Sequence, residues 1–594
     1  MRILMGYRDI THTHIDRSRY DVRCVMPTRE GEPVPSIAAM LEQCPPGWKP
    51  DVYYHAAVGH HPLPADIDVF PGLLVCDVQD WDRRARACWA GVGFFDLAFS
   101  DTGGCALLRS WGYQNAHFAR LYSLRSDEFR LLPDTHRDID VLFVGSFGSP
   151  VWSDRNRWLH RVARLADRYR VVITQGRHGA EYVRLNNRAR IVFNRSVRGE
   201  TNARVYEAAL CGALVFMERE NEETHQILEE GVHAVYYDAA SLEALLEHYL
   251  QHEEERARIA MAGRQRILEE HTETAHLHTL FAQIEQHLQT RYRPYTSLPS
   301  VERHARKALQ IFAGAYPAAV PMALACLDRA RRIGHTPAQW LTARAALMAW
   351  QADTLGGASR LSMLEEARQL AAQAVQSPGN SLFDWLTYGT LCLVCSGLRH
   401  GQFTPDDPDV ATGREMLERV RAHCQLRLYN PEALDVSYHG MVYPHWGDLF
   451  DGFQDRAFRH RGVDDTAWKR EMLQAILWQC CVSLSDLAAG MQDWRQAEEL
   501  AGCASEVHPD QSETWFRQGL YAAMGGRLEN AAAYYRQGLD VAPLTPEMWE
   551  NYVSLLVRTG QRARAEAFVA ECLTVLRAVP GMDDTGQHLV QALR

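Results

Sequence analysis

At 594 residues the chain is too long for a single hydrophobic core, so two to four domains are expected. Hydrophobic residues make up 46% and charged residues 23%, the balance of an ordinary globular protein, and a formal net charge of -11 argues against general nucleic-acid binding. The opening "MRILMGYRDITHTHIDRSRYD" lacks the apolar core of a signal peptide, and no apolar run approaches the ~20 residues that span a bilayer. The 14 cysteines are scattered. The C-x-x-C at Cys392 and Cys395 sits in apolar surroundings that suit packing better than metal ligation or redox work. These features predict a reduced, cytoplasmic protein without a membrane span.

Residues 1–137 alternate short apolar runs with helical or loop segments. "RILMGY", "DVYYHAAV", "GLLVCDV" and "FDLAFSD" are apolar on both faces, as buried parallel strands are. His12, His14, His60, His61, Asp77 and Asp80 fall just after expected strand ends, where an open α/β sheet places its ligands. The rhythm restarts over 138–289 with "DIDVLFVGSF", "RVVITQG", "RIVFN", "GALVFME" and "AVYYD". Two such blocks predict two Rossmann-like lobes with a cleft between them.

The segment 290–300, "TRYRPYTSLPS", reads as a linker, and nearly everything beyond it as helical. Residues 301–480 are expected to form a degenerate helical-repeat region, interrupted by the aromatic-rich insertion 437–453. Residues 481–594 carry a clearer period and a capping helix: Pro509 and Pro543, and Trp515 and Trp549, are 34 residues apart, and Ala497, Ala531 and Ala565 keep the same step. "ETWFRQGLYAAMGGRLENAAAYYRQGLDVAP" resembles the tetratricopeptide family, in which small residues let paired helices approach and an aromatic fills the gap between pairs.

The stretch "GETNARVYEAALCGALVF" (199–216) reads as loop, helix, glycine stop and strand. Thr201 or Asn202 caps the helix, and Gly212 ends it in a left-handed conformation. The helix N-terminus offers N–H groups and a positive dipole end, to which Arg204 adds a full charge. Glu207, three residues on, has a carboxylate able to accept from both hydroxyls of a ribose. The pattern therefore suits a nucleoside diphosphate. The bland alternative is a surface salt bridge between Arg204 and Glu207.

"NARVYEAALCGALVF", with "GVHAVYYDAASLEALLEHYLQHEEERARIAMAGRQRILEEHT", resembles the C-terminal lobe of GT-B glycosyltransferases, nearest the spore-maturation (CgeB-like) branch of the group 1 enzymes. "DIDVLFVGSFGSPVWSDRNRWL" resembles that lobe's opening strand and glycine-containing loop. The resemblance implies a GT-B fold followed by a tetratricopeptide α-solenoid. It places Glu207 on the ribose of a nucleotide-sugar, and Arg204, Arg155 or Arg157 near its diphosphate. The backbone N–H groups of Gly145 and Ser146 would add to the stabilisation of the leaving phosphate. Related enzymes carry a second Glu eight residues earlier; here that position is Gly199, with Glu200 as the substitute. Such enzymes usually work without a bound metal, so no cofactor is expected beyond the donor. Asp66-Ile67-Asp68 and Asp138-Ile139-Asp140 mimic the Asp-x-Asp of metal-dependent transferases and are given no weight.

An inverting reaction needs a base, for which Asp80 and His60 are the preferred pair. The expected function is glycosyl transfer from a nucleoside-diphosphate-sugar, with the repeats presenting a protein or peptide acceptor. The repeat helices also allow a homodimer. Two other functions fit the same residues: a repeat scaffold whose GT-B lobe is inactive, and a nucleotide-sugar epimerase.

Overall fold

The computed structural model describes residues 1–11, 13–25, 36–81, 84–120, 127–133, 135–148, 153–197, 199–289, 300–313, 319–333, 337–429, 465–580 and 583–593. His12, the expected linker except Ser300, and the insertion 437–453 lie outside the described residues.

The first block holds strands β1 (Arg2–Gly6), β2 (Asp21–Val25), β3 (Val52–His55), β4 (Leu73–Val78), β5 (Leu97–Ser100) and β6 (Ala116–Phe118), with helices α1 (Ile37–Glu42), α2 (Ala85–Val92) and α3 (Thr102–Ser110). The strands form one parallel sheet in the order β2-β1-β3-β4-β5-β6. β3, β4 and β5 are buried along their whole length, as their unbroken apolar runs require.

In the second block come β7 (Ile139–Val144), α4 (Ser153–Ala163), β8 (Val171–Thr174), α5 (Gly179–Arg188), β9 (Ala189–Phe193), α6 (Ala203–Leu210), β10 (Leu214–Glu218), α7 (Glu222–His225), β11 (Val235–Tyr237), α8 (Leu242–Gln251), α9 (Glu253–Glu270) and α10 (Glu273–Leu288). Its sheet is also parallel, in the order β11-β10-β9-β7-β8. The path of the chain therefore reverses direction across this sheet between β7 and β9, and across the first sheet between β1 and β3. The strands "RILMGY" to "AVYYD" all form where their sequence places them.

The later described residues are mainly helical: α11 (Ser300–Ala313), α12 (Val320–Ile333), α13 (Pro337–Ala352), α14 (Gly357–Gln376), α15 (Leu382–His400), α16 (Pro408–Arg427), α17 (Asp465–Gly490), α18 (Trp494–Val507), α19 (Ser512–Met524), α20 (Leu528–Val541), α21 (Pro546–Arg558), α22 (Arg562–Ala578) and α23 (Asp583–Ala592). Helices α18, α20 and α22 begin at the 34-residue step of the sequence. Ala497, Ala531 and Ala565 are fully buried. Trp515 Nε1 donates to Pro509 O at 2.7 Å and Trp549 Nε1 to Pro543 O at 2.8 Å, so the repeat reaches down to individual hydrogen bonds. Cys392 and Cys395 are buried on α15, and burial pushes each thiol up to about 12. Among the described residues no helix is long and apolar enough to cross a membrane.

Contacts divide the chain into two compact units, each discontinuous in sequence. One comprises Met1–Leu121 and Leu277–Gln492, the other Tyr122–His276 and Asp493–Arg594. In the first unit, Leu277, Leu280, Phe281 and Ile284 of α10 pack into one core with Ile3, Met5, Val52 and Tyr54 of the sheet. Leu309 of α11 meets Ala87 and Ala90 of α2. In the second unit, Tyr535 and Val569 of the repeat helices share a core with Leu159 and Val162 of α4 and Val171 of β8. Each sheet thus recruits its own part of the helical region.

Candidate active site

Arg204 leaves the first turn of α6 and lies across the end of β7. Its Nε donates to Val144 O at 2.9 Å and its Nη1 to Asn194 Oδ1, while its guanidinium carbon stands 4.5 Å from the Phe143 ring centroid. Val144 ends β7 and Asn194 follows β9, so one side chain bridges the two strands between which the strand order reverses. The crevice at the carboxyl ends of such a pair is where open α/β sheets bind ligands. A Cβ on Gly145 would strike Arg204 Nη2, so a larger residue here would displace the guanidinium from its present seat. One expectation is corrected: the Gly145 N–H donates to Thr174 O at 3.0 Å and is already committed. What Gly145 contributes is room for the guanidinium.

Glu207 sits one turn further along α6, half-buried, and its Oε2 accepts from Tyr182 Oη of α5 at 2.8 Å. Burial pushes its carboxyl above the usual range, while the Tyr182 hydroxyl and the Arg204 charge pull it back. Arg204 and Glu207 are bound to other groups instead of to each other, which is not the arrangement of a surface salt bridge. Gly212, with φ of 74°, ends α6 as expected.

Asn202 occupies the N-cap position of α6, but its side chain makes no capping hydrogen bond. The Thr201 hydroxyl does not cap either; it lies 3.2 Å from the Thr224 hydroxyl, and the Thr201 N–H donates to Glu223 Oε2 at 3.1 Å. Glu200 is buried, with Val197 N–H 3.5 Å from its Oε1, and its carbonyl accepts from Asn221 Nδ2 at 2.9 Å. Ser146 is exposed, and its carbonyl accepts from Arg155 Nη1 at 3.1 Å. Arg155 is itself buried and also donates to Arg195 O at 3.2 Å, so it braces the loop after β7. Arg157 lies on the exposed face of α4, 3.4 Å from Asp154.

Sequence reasoning overlooked Tyr182, Asn194 and Glu218. Glu218 ends β10, is 1% exposed, and accepts from Ser196 N–H at 2.9 Å, from the Ser196 hydroxyl and from Asn221 Nδ2 at 3.1 Å. Among the described residues, Glu218 Oε2, Asn194 Nδ2 and Asn202 Oδ1 are buried without a hydrogen-bond partner. The Asn194 amide cannot be flipped to relieve this, because Arg204 fixes its oxygen. Burying such an atom unpaired costs about 1–3 kcal/mol. For Asn194 and Glu218 the available signal was a polar residue just after or at the end of a buried strand, in "RIVFNRS" and "LVFMERE".

The first unit has its own candidate residues. His60 Nε2 and Asp80 Oδ2 are 3.2 Å apart, each on a partly exposed side chain, so the pair chosen from sequence is adjacent in space. Asp80, Tyr7 and Ala57 hold positive φ of 45°, 67° and 49°, and they follow β4, β1 and β3. Non-glycine residues so placed store about 1–3 kcal/mol each and cluster at functional sites. Asp77 is a tie between strands: its fully buried carboxylate accepts from Tyr54 Oη at 2.7 Å, Ala57 N–H at 2.8 Å and Gln79 Nε2 at 2.9 Å. His14 is exposed. His61 stacks on Tyr7 with ring centroids 4.4 Å apart, and burial lowers its pKa to about 4. The Asp-x-Asp pairs are structural. Asp66 accepts from the Ile37 and Ala38 amides, Asp68 pairs with Lys307, Asp138 with Arg170 and Arg188, and Asp140 with Arg190.

Residues 127–282 match the family described as "Glycosyl transferase-like". Over 92 residues the chain is 30% identical to the protein O-mannosyl-transferase Tmtc1 of Drosophila melanogaster, a match that takes in 14% of this chain and 11% of that relative. The chain thus spans about a tenth of the length of the curated relative it matches. Among solved structures, Anabaena HepE in complex with UDP-glucose is similar at 13% identity and a TM-score of 0.33, covering 49% of this chain and all of HepE. HepE with UDP and glucose gives 14% identity and a TM-score of 0.32 over the same shares. The family match, over residues 127–282, takes in both Arg204 and Glu207.

Proposed function

We propose that the protein transfers a sugar from a nucleoside-diphosphate-sugar, with Glu207 on the ribose and Arg204 close to the diphosphate. The observation that carries this reading is the placement of Arg204 across the β7–β9 switch point, with the half-buried Glu207 held by Tyr182 one turn away. An uncapped α6 N-terminus supplies N–H groups and the positive dipole end toward the same strand ends. As the bond from the sugar to the leaving phosphate breaks, negative charge grows on that phosphate, and these fixed donors and the Arg204 charge favour it. Buried polar atoms of Asn194, Asn202 and Glu218 offer further contacts to a polar ligand. No metal enters this reading.

In the proposed inverting reaction Asp80 and His60 act together, His60 taking the acceptor's proton while the neighbouring Asp80 carboxylate stabilises the charged imidazole. The 34-residue helical repeat is read as a tetratricopeptide array that recruits a protein acceptor. The match to a protein O-mannosyl-transferase supports that choice. A thermal-shift screen against UDP-, GDP-, dTDP- and CMP-sugars tests the donor assignment: one of them should raise the melting point by mass action, and the Glu207→Ala variant should lose that rise. A full panel without a shift would remove the donor site. The retained alternative is a binding scaffold, favoured by Gly199 at the second Glu position. It requires donor binding without turnover.

A further inference from the structure

Two side chains of α11 reach out of the helical region onto the loop after β3, and both are buried. Gln310 is fully buried; its Nε2 donates to Val58 O at 3.1 Å and His61 O at 2.8 Å, and its Oε1 accepts from Leu63 N–H at 3.3 Å. Lys307, 4% exposed, donates to Ala65 O and Asp68 Oδ1, both at 2.9 Å. The His61 carbonyl is gripped from a second side by His55 Nε2 at 3.3 Å. A carbonyl only accepts, so His55 carries its proton on Nε2, and its Nδ1 accepts from Tyr53 Oη at 3.0 Å. The fully buried His55 suits this neutral form, since burial lowers its pKa to about 3. The segment Val58–Leu63 thus has its backbone fixed by an amide from another part of the chain, and that segment carries His60 and the His61 ring stacked on Tyr7.

We infer that Gln310 is a positioning residue through which α11 of the helical region sets the His60–His61 segment beside Asp80. The inference rests on the reading of His60 and Asp80 as the proton-transfer pair, but its geometry is independent of that reading. It also gives the helical region a second role besides recruitment: a displacement of α11 moves three backbone hydrogen bonds of the candidate catalytic loop.

Two variants of the full-length protein test this. Gln310→Met keeps the volume and removes all three hydrogen bonds, while Gln310→Asn keeps the amide on a shorter stem. The expected result is that in Gln310→Met the His61 ring resonances, shifted by the stacked Tyr7 ring, move toward those of an unstacked histidine. Amide exchange at Leu63 should rise at least tenfold in the same variant, and Gln310→Asn should fall between it and the parent. With whichever nucleotide-sugar the screen identifies, Gln310→Met should lower kcat at least tenfold and leave KM for the donor within twofold. A lower melting point with unchanged His61 resonances would mean a purely structural Gln310 and would overturn the inference. If Gln310→Met does not fold, unchanged resonances in Gln310→Asn would do the same. A protein that turns over no nucleotide-sugar would overturn the proposed activity instead, while the resonance and exchange measurements still judge Gln310.

Discussion

Tyr182 donates its phenolic hydrogen to Glu207 Oε2 at 2.8 Å, joining α5 to α6. The bond opposes the burial that raises the Glu207 carboxyl, and so helps keep it ionised and able to accept from hydroxyl groups. Tyr182→Phe should therefore raise that pKa further. Donor affinity, measured by calorimetry across pH, should fall off at a higher pH in the variant than in the parent. Identical profiles would separate Glu207 ionisation from binding.

The raised carboxyl also has a signature in stability. Its pKa is higher folded than unfolded, so the folded protein holds the proton more tightly. This group's contribution is most favourable below its unfolded pKa and declines as pH rises through the interval up to its folded pKa. Glu207→Gln should flatten that part of the stability curve. Denaturant titrations at several pH values would show it.

Gly145 and Arg204 are coupled by contact. Gly145→Ala should push the guanidinium off Val144 O and Asn194, and cost donor affinity about 1–3 kcal/mol, as should Arg204→Ala. The double variant should be no worse than Arg204→Ala alone, because the two changes damage one interaction. Additive losses would mean that Gly145 acts on its own.

Asp80→Asn tests the proton-transfer pair. It removes a charge from a partly exposed site 3.2 Å from His60, so the melting point should barely move. Turnover should drop about 10²–10⁴-fold with donor affinity unchanged. Loss of donor affinity instead would place Asp80 elsewhere in the reaction.

Removing residues 493–594 should leave an insoluble or unfolded product, because Tyr535, Val569 and their neighbours fill one core with Leu159 and Val162. Soluble expression of the truncated chain, with a cooperative melt, would contradict this.

Much of the fold was legible because the central strands are buried on both faces and announce themselves as unbroken apolar runs. β2 and β6 escaped notice for the converse reason. They are the two edge strands of their sheet; β2 carries Asp21 and Arg23, and β6 is only three residues long. The 34-residue repeat was visible because helix pairing needs a small residue at a fixed place in each pair. At the site, Arg204 and Glu207 stood out by spacing, but their partners did not. Tyr182, Asn194 and Val144 reach them from other elements, as Gln310 reaches the Val58–Leu63 loop within its own unit, and no local pattern records such a hydrogen bond. The helical region reads from sequence as a degenerate part, 301–480, and a clearer repeat, 481–594; packing assigns α11–α17 to one compact unit and α18–α23 to the other.

That division has a consequence for synthesis. The two parts of the first unit are separated by Tyr122–His276, which takes on the order of 10–30 s to translate. Until Leu277 and the helices after it leave the ribosome, the nascent first sheet lacks the partners that cover Ile3, Met5, Ala87 and Ala90. The second sheet waits in turn for residues beyond Asp493. Neither unit can complete itself during translation in simple N-to-C order, so the interval of exposed apolar surface makes this chain a natural client for chaperones.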